Sequence, residues 1–153
     1  MNIRKAILED LKSIHEIETL SFNDGSYPLF VLRQLFDISE DYFLIAEEDD
    51  VILGYALGNF STKDSQGWIL SLGVHPEARG KKIGRMLTEK LISLLENNNS
   101  KEICLTVHPD NASAIKIYED LDFEIIVECD NYYLDNEARL LMKKKAVSIQ
   151  INS

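Results

Sequence analysis

Apolar positions along the chain change their spacing several times, and each change marks the border of a predicted element. Residues 2–7, NIRKAI, alternate between polar and apolar side chains, which predicts a strand, and residues 8–20 then carry apolar side chains at helical spacing. A second helix is predicted over residues 27–38, with Pro28 at its start. The chain therefore opens with one strand and two helices.

Three strands are predicted next, as an antiparallel meander over residues 42–47, 51–60 and 68–74. Helical spacing returns from Ile83 as far as the sequence NNNS, and residues 103–107 are predicted to form a strand. This strand, helix, strand order predicts a parallel crossover. Asp110 or Asn111 then caps a further helix, and two closing strands are predicted over residues 123–127 and 138–142.

The predicted fold class is α+β, with one mixed, mostly antiparallel sheet flanked by helices. The 153 residues, 45% of them hydrophobic, suit one ordinary domain with a single core. No linker, repeat or low-complexity segment divides the sequence. We therefore expect one domain over residues 1–145 and a C-terminal tail over residues 146–153.

Charge limits the classes of partner. The chain has 26 acidic against 16 basic residues and a formal net charge of −10, which argues against nucleic acid and is compatible with cationic partners. No apolar run reaches the roughly 18 residues of a membrane span, so the expected location is the cytoplasm, with no membrane partner. The pattern predicts nothing about oligomeric state.

Cysteine and histidine spacing favours neither a disulfide framework nor a metal site. Cys104 and Cys129 lie in apolar stretches without CxxC spacing, so we expect reduced, buried thiols. His15, His75 and His108 do not form a ligand spacing with nearby cysteines or carboxylates, so no metal is expected.

The stretch VHPEARGKKIGRMLTEKL, residues 74–91, gathers cations before a predicted helix. Unpaired N–H groups at a helix start, together with the helix dipole, suit an anion such as a phosphate. The loop lacks both GxxxxGK[ST] and GxGxxG, which argues against a nucleoside triphosphatase and a dinucleotide binder. A solvated basic turn is the alternative. The residues concerned are Arg79, Gly80, Lys81, Lys82, Gly84 and Arg85.

A second stretch, NASAIKIYEDLDF, places Tyr118 seven residues after Asn111, on the face of the predicted helix that also carries apolar side chains. Alone, this tyrosine would suit a core position. Together, SLGVHPEARGKKIGRMLTEKL and NASAIKIYEDLDFEII resemble the acetyl-CoA-binding signature of the GNAT superfamily of N-acetyltransferases. The resemblance extends over nearly the whole chain, and NYYLDNEARLLM looks most like the branch that contains the ribosomal-protein alanine acetyltransferases and acetylates protein N-termini.

The resemblance implies a set of acetyl-CoA positions. Loop amides and Arg85 would hold the pyrophosphate, a strand with free main-chain groups would pair with pantetheine, and Asn111 would lie near that arm. Two residues depart from the family pattern, because Lys82 and Asp122 stand where glycine is usual. The implied positions are Leu72, Gly73, Val74, Arg79, Gly80, Lys81, Lys82, Ile83, Gly84, Arg85, Asn111 and Tyr118.

The resemblance also implies catalytic roles. Tyr118 would protonate the departing thiolate, and Thr106 occupies the position where the ribosomal-protein branch commonly has a glutamate base. His108, two residues on, would project to the same face and is the candidate base, directly or through water. An α-amino group with a pKa near ~8 needs less help than a lysine near ~10.4, which favours N-terminal amines as acceptors.

Substrate positions follow from the same resemblance, with core packing as their competing use. They are Phe22 and Tyr27 between the first two helices, and Tyr132 and Tyr133 before the last strand. Asp24 or Glu137 would attract an ammonium group or simply face solvent. Two other functions stay open: acetylation of a small amine such as a polyamine or aminoglycoside-like cation, and a non-catalytic acetyl-CoA-binding module.

Overall fold

The structure is a computed structural model that describes residues 1–147; residues 148–153, most of the expected C-terminal tail, lie outside the described residues. The described part contains seven strands and four α-helices. In chain order these are β1 Asn2–Lys5, α1 Leu11–Phe22, α2 Leu29–Ile38, β2 Phe43–Glu48, β3 Val51–Ser61, β4 Gln66–Val74, α3 Ile83–Asn97, β5 Glu102–Val107, α4 Ala112–Asp120, β6 Glu124–Cys129 and β7 Arg139–Lys145.

One mixed sheet orders these strands as β1-β2-β3-β4-β5-β7-β6. β2 pairs antiparallel with β1 and with β3, and β7 pairs antiparallel with β5 and with β6. β4 and β5 pair in parallel, and α3 connects them along the chain. The predicted α+β class, the mixed sheet and the parallel crossover are therefore confirmed.

The chain forms two compact units, residues 1–58 with 71–91, and residues 59–70 with those from 92 onward. In the first, Ile14, Leu32 and Phe43 are completely buried, and in the second Ile103 and Met142 are. Among the helices of residues 1–147, none has the length and apolar character needed to cross a bilayer.

Helix α1 begins later than the apolar spacing predicts, at Leu11 instead of Leu8, because residues 8–10 form a 3-10 turn. Asp10 accounts for the difference: its carboxylate accepts the Ile7 N–H at 2.8 Å and pairs with Arg4 at 2.8 Å. A side-chain cap of this kind competes with continuous helix. α1 then buries Leu11, Ile14 and Ile17, as its spacing predicts.

The prediction of two buried thiols is wrong for one cysteine. Both cysteines are free, and Cys104 on β5 is buried, but Cys129 is only half-buried. The reason is that β6, which carries Cys129, is an edge strand paired with β7 alone. Its side chains stay accessible even where they are apolar, and Ile125, Ile126 and Val127 are 44–53% exposed.

Candidate active site

The end of β4 is shaped by a close approach of backbone to an aromatic ring. A Cβ added to Gly73 would lie 2.6 Å from Cε1 of Tyr55 and 3.2 Å from Cγ2 of Ile17, so only glycine fits at this height of the strand. The neighbouring Leu72 and Val74 are half-buried. The three positions expected for the pantetheine arm thus form a strand end that is accessible at alternate residues.

The loop after β4 turns through two residues with left-handed backbone, Gly80 at φ +86° and Lys82 at φ +61°. Lys82 directly precedes α3, and its carbonyl accepts the Met86 N–H at 3.1 Å. Left-handed residues interleaved in a turn aim successive N–H groups outward, and the first N–H groups of a helix lack intrahelical partners. The loop therefore has the donors that an anion requires.

Its side chains contribute unequally. Arg79, Lys81 and Lys82 are exposed, so their charges face solvent or a ligand. Arg85 is engaged with Glu89 one turn further along α3, with 3.0 Å between Nε and Oε1. Ile83 is 1% exposed and belongs to the core, so only its backbone can contact a ligand. Backbone N–H groups and three exposed cations fit a pyrophosphate.

Two candidates belong to α4 and its cap, in the second unit: Asn111 directly before the helix and Tyr118 within it. The side chain of Asn111 caps this helix, with Oδ1 accepting the Ala114 N–H at 3.2 Å, so Asn111 has a structural role independent of any ligand. Tyr118 is 5% exposed and packs edge-on against Phe123, with ring centroids 5.7 Å apart. Burial raises the pKa of the Tyr118 phenol, so this group stays protonated at neutral pH.

The loop between β6 and β7 brings an aromatic pair to the end of β5. Tyr132 and Tyr133 pack edge to face at 4.8 Å, and the guanidinium of Arg139 lies 5.3 Å from the centre of the Tyr133 ring. The hydroxyls of Tyr133 and Thr106 form a hydrogen bond of 2.6 Å. Tyr133, 56% exposed, is thus anchored to Thr106, the residue that stands where the ribosomal-protein branch commonly has a glutamate.

His108 has a partner at each ring nitrogen. Nδ1 accepts the Asp110 N–H at 3.1 Å, so the ring proton is placed on Nε2, which lies 3.2 Å from Oε2 of Glu137. Thr106 and His108 are both half-buried while Val107 between them is buried, as the expected strand alternation requires. Abstraction of a proton by Nδ1 would first require the Asp110 bond to break.

The substrate positions expected between α1 and α2, Phe22 and Tyr27, belong to the first unit, and we call them the acceptor wall. Phe22 is 36% exposed at the end of α1, and Tyr27 is half-buried just before Pro28, which caps α2. The Tyr27 N–H donates to Oε2 of Glu18 at 2.9 Å. Glu18, which is 1% exposed, has no place among the candidates predicted from the sequence.

Sequence reasoning missed two features of these sites. Glu18 lies four residues after Ile14 and seven after Leu11, so helical spacing alone puts an acid on the buried face of α1. This helical spacing is the signal by which the sequence could have indicated a buried Glu18. The contact of Glu137 with His108 joins residues 29 apart, and nothing in the local sequence indicates it. Within residues 1–147 no group of three His, Cys, Asp or Glu side chains has a metal-binding arrangement.

Comparison with known proteins identifies a family. Residues 8–123 match the model of the "Acetyltransferase (GNAT) family". An uncharacterized N-acetyltransferase of Methanocaldococcus jannaschii is 33% identical over 95% of this chain and 92% of its own length. A Bacillus subtilis protein named as a candidate [ribosomal protein bS18]-alanine N-acetyltransferase is 27% identical over 92% of each chain.

A solved structure of an enzyme has the same fold as this chain. Chaetomium thermophilum Naa20, crystallised in complex with a bisubstrate analogue, superposes with a TM-score of 0.83 at 25% identity. The match covers 95% of this chain and 86% of that one.

Proposed function

Because this chain belongs to the acetyltransferase (GNAT) family and is an acetyl-CoA-dependent N-acetyltransferase, we propose that its acceptor is the α-amino group of a protein or peptide N-terminus. We assign residues 1–145 to the acetyltransferase domain as part of the same proposal. The Bacillus subtilis relative is named for acetylation of an alanine, a residue whose only amine is the α-amino group. That name supports the choice of acceptor.

The observation that carries the proposal is the anchored aromatic pair. Tyr133 is held by Thr106 and by Arg139, yet more than half of its surface is exposed, and the neighbouring Tyr132 is 39% exposed. An apolar ring with a polar tip, fixed in place while it faces solvent, suits contact with an extended peptide. A solvated loop would not need its tyrosine held at two points.

Acetyl-CoA supplies the activated thioester when it is bound. In this proposal the N–H groups of Ile83 and Gly84, preceded by Gly80 and Lys82, hold its pyrophosphate. Main-chain groups of residues 72–74 pair with the pantetheine arm, and the N–H of Val74 stabilises the negative charge that develops on the carbonyl oxygen. Asn111 keeps its implied place near the pantetheine arm, in addition to its role as a helix cap.

Tyr118 is assigned to the leaving sulfur. Because burial raises the pKa of its phenol, full transfer of the proton to a thiolate is uphill, and the group acts best as a hydrogen-bond donor that stabilises the developing charge. Its role in this proposal is therefore electrostatic, and the proton that converts the thiolate into the thiol comes from solvent.

Water takes the proton from the acceptor ammonium in this proposal, with the His108–Glu137 pair as the next acceptor. Both ring nitrogens of His108 are engaged, whereas Glu137 is exposed and oriented by the imidazole. An α-amino group with a pKa near ~8 is already partly neutral at neutral pH, so a water relay is sufficient. Glu137 also attracts the cationic form of the acceptor.

The experiment is coenzyme A release by the purified protein from saturating acetyl-CoA. One arm uses short peptides with free Ala, Ser, Thr or Met N-termini, and the matched arm uses the same peptides with blocked N-termini and an internal lysine. We expect release with the free N-termini only. Turnover restricted to the lysine peptides would refute the assignment of the acceptor.

A third arm with spermidine tests a second candidate, a small-amine acetyltransferase, which the net charge of −10 favours because it attracts polycations. Turnover of spermidine without turnover of any peptide would establish that candidate in place of the first.

The pH dependence of kcat/KM distinguishes the source of the base. With a water relay, the acidic limb follows the pKa of the acceptor α-amino group, near ~8, and it persists in His108→Ala. Peptides whose N-terminal pKa differs should shift the limb by the same amount. A limb that ignores the peptide and disappears in His108→Ala would make His108 the base.

A further inference from the structure

A buried carboxylate lies beneath the expected acceptor wall, in the first unit of the chain. Oε1 of Glu18 accepts hydrogen bonds from the hydroxyls of Tyr55 and Ser71, the latter at 2.8 Å. Oε2 accepts the Tyr27 N–H at 2.9 Å. All three donors are neutral, and Glu18 is 1% exposed.

Packing does not require an acid at this position. Glu18 follows Leu11 and Ile14 on the buried face of α1, where a leucine would cost no desolvation. A buried carboxylate is tolerated only when its oxygens are hydrogen-bonded, and here both are. Burial, together with the charge of Glu18, raises the pKa of Tyr55, so this phenol remains a donor. The carboxylate therefore contributes specific bonds that an apolar residue lacks.

Those bonds join segments that the proposed reaction uses. One oxygen of Glu18 binds the backbone just before α2, and Ser26 donates to the Glu18 carbonyl at 3.2 Å, so the segment of residues 23–28 is held to α1 twice. The other oxygen reaches Ser71 on β4 and Tyr55 on β3. The Tyr55 ring is the one that leaves no space for a Cβ at Gly73.

We propose that Glu18 is a positioning residue that ties the segment carrying Tyr27 to the cofactor strand β4, and thereby sets the affinity for the acceptor amine. The proposal rests on the function proposed above. It assigns Glu18 no contact with the reacting atoms. Its loss leaves the binding of acetyl-CoA to the loop before α3 unchanged and loosens the acceptor wall.

Two substitutions separate the hydrogen bonds of Glu18 from its volume. In Glu18→Gln the amide can turn its oxygen to the Tyr27 N–H and its NH₂ to the two hydroxyls, since both hydroxyls also accept. This variant should keep the wall in place. In Glu18→Leu the volume is similar, but the Tyr27 N–H loses its acceptor, and the two hydroxyls lose the carboxylate and keep only the hydrogen bond of 2.9 Å between them.

Steady-state kinetics with the preferred acceptor gives the first readout. For Glu18→Leu we expect KM for the acceptor to rise roughly tenfold and KM for acetyl-CoA to stay within about twofold, because one or two hydrogen bonds that order the wall are lost. Glu18→Gln should restore the acceptor KM to within about twofold of wild type. Equal rises in both KM values, or a Glu18→Gln variant as impaired as Glu18→Leu, would overturn the proposal.

Asp10→Asn is the matched control for general destabilisation. It removes a buried carboxylate that pairs with Arg4 at the start of α1, away from Tyr27. At temperatures equally far below each variant's Tm, it should leave the acceptor KM unchanged. An acceptor KM that rises in Asp10→Asn as much as in Glu18→Leu would reduce the role of Glu18 to plain stability.

Amide exchange of Tyr27, measured by NMR, tests the tie without any turnover. Its N–H should exchange roughly tenfold faster in Glu18→Leu and at the wild-type rate in Asp10→Asn. If Glu18→Leu does not fold, Ser71→Ala and Tyr55→Phe replace it, with the same direction expected. Unchanged exchange overturns the proposal even if the protein acetylates peptides, whereas faster exchange in a protein that acetylates nothing upholds the tie and sinks only the proposed function.

Discussion

At the scale of single residues, two positions have a left-handed backbone although the residue at each is not glycine. Lys82 and Asp122 stand where the family pattern has glycine, and both keep a left-handed backbone, with φ of +61° and +72°. A side chain with a Cβ in this conformation costs about 1–2 kcal/mol relative to the right-handed one. The turns before α3 and after α4 thus have the backbone conformation that glycine favours, although neither residue is glycine.

Asp122→Gly should therefore stabilise the protein. We expect the free energy of unfolding to rise by about 0.5–1 kcal/mol, because glycine adopts the left-handed conformation without strain and this gain exceeds its extra backbone entropy. Urea unfolding measures the difference. Asp64→Gly is the control, since Asp64 is also a turn aspartate but has no positive φ; an equal effect at both positions would contradict the argument from strain.

Tyr118→Phe tests a hydroxyl whose ring already has a structural use. The ring packs on Phe123, so the variant should fold with little change in stability. We expect kcat to fall by about 10²-fold or more, with KM for acetyl-CoA unchanged, because the donor to the leaving sulfur is lost. Wild-type kcat in a folded variant would leave Tyr118 as a core residue only.

At the scale of elements, periodicity was sufficient for the strands, the helices and the crossover, but not for contacts between them. Alternation and helical spacing are local, so β4, α3 and β5 could be predicted from the side chains they carry. The bond between Thr106 and Tyr133 joins residues 27 apart, and it depends on how the β6–β7 loop folds. The edge position of β6, which leaves Cys129 half-buried, is likewise a property of strand order that no local pattern contains.

Gly73→Ala tests whether the position of the β4 backbone affects the affinity for acetyl-CoA. The added Cβ would lie 2.6 Å from the Tyr55 ring, so the strand or the ring must shift. We expect a loss of about 1–3 kcal/mol in stability and a weaker affinity for acetyl-CoA by calorimetry. Gly25→Ala is the matched control, because no atom lies within 4 Å of its Cβ position. Unchanged affinity in Gly73→Ala would separate β4 from cofactor binding.

At the scale of the whole molecule, the positions proposed for the cofactor and those proposed for the acceptor differ in how far a sequence alone can indicate them. The cofactor loop is one continuous segment with a recognisable pattern of glycine and cations before a helix. The acceptor positions come from segments far apart in the chain, and they are held by groups such as Glu18 and Thr106 whose partners only the fold brings near. A short motif can indicate the first kind of site, whereas the second requires the tertiary structure.

The free energy of unfolding of the whole molecule should depend on pH in acid, and one ion-pair cluster around Arg4 should contribute to this dependence. Arg4 on β1 binds Asp10 at 2.8 Å and Glu47 on β2 at 2.9 Å. Burial alone would raise the pKa of Asp10, but the hydrogen bonds from Arg4 and from the Ile7 N–H outweigh it and hold the pKa below its usual value. The hydrogen bond from Arg4 likewise lowers the pKa of Glu47.

These directions determine the sign of the pH dependence. A carboxyl with a lowered pKa in the folded state binds protons more readily in the unfolded state, so its contribution to stability is complete above about pH 4 and is lost as pH falls further. The free energy of unfolding should therefore decline on acidification, and less steeply in Asp10→Asn, by up to about 1.4 kcal/mol per pH unit for one proton.

Urea unfolding of wild type and Asp10→Asn at several values between about pH 3 and 6 measures this difference. At about pH 6 the variant should be the less stable of the two, because Arg4 has lost a charged partner that is 6% exposed. The two curves should then converge as acid removes the contribution of Asp10 from wild type. Parallel curves would mean that Asp10 has the same pKa in both states, and that the Arg4 cluster holds β1 to β2 through Glu47 instead.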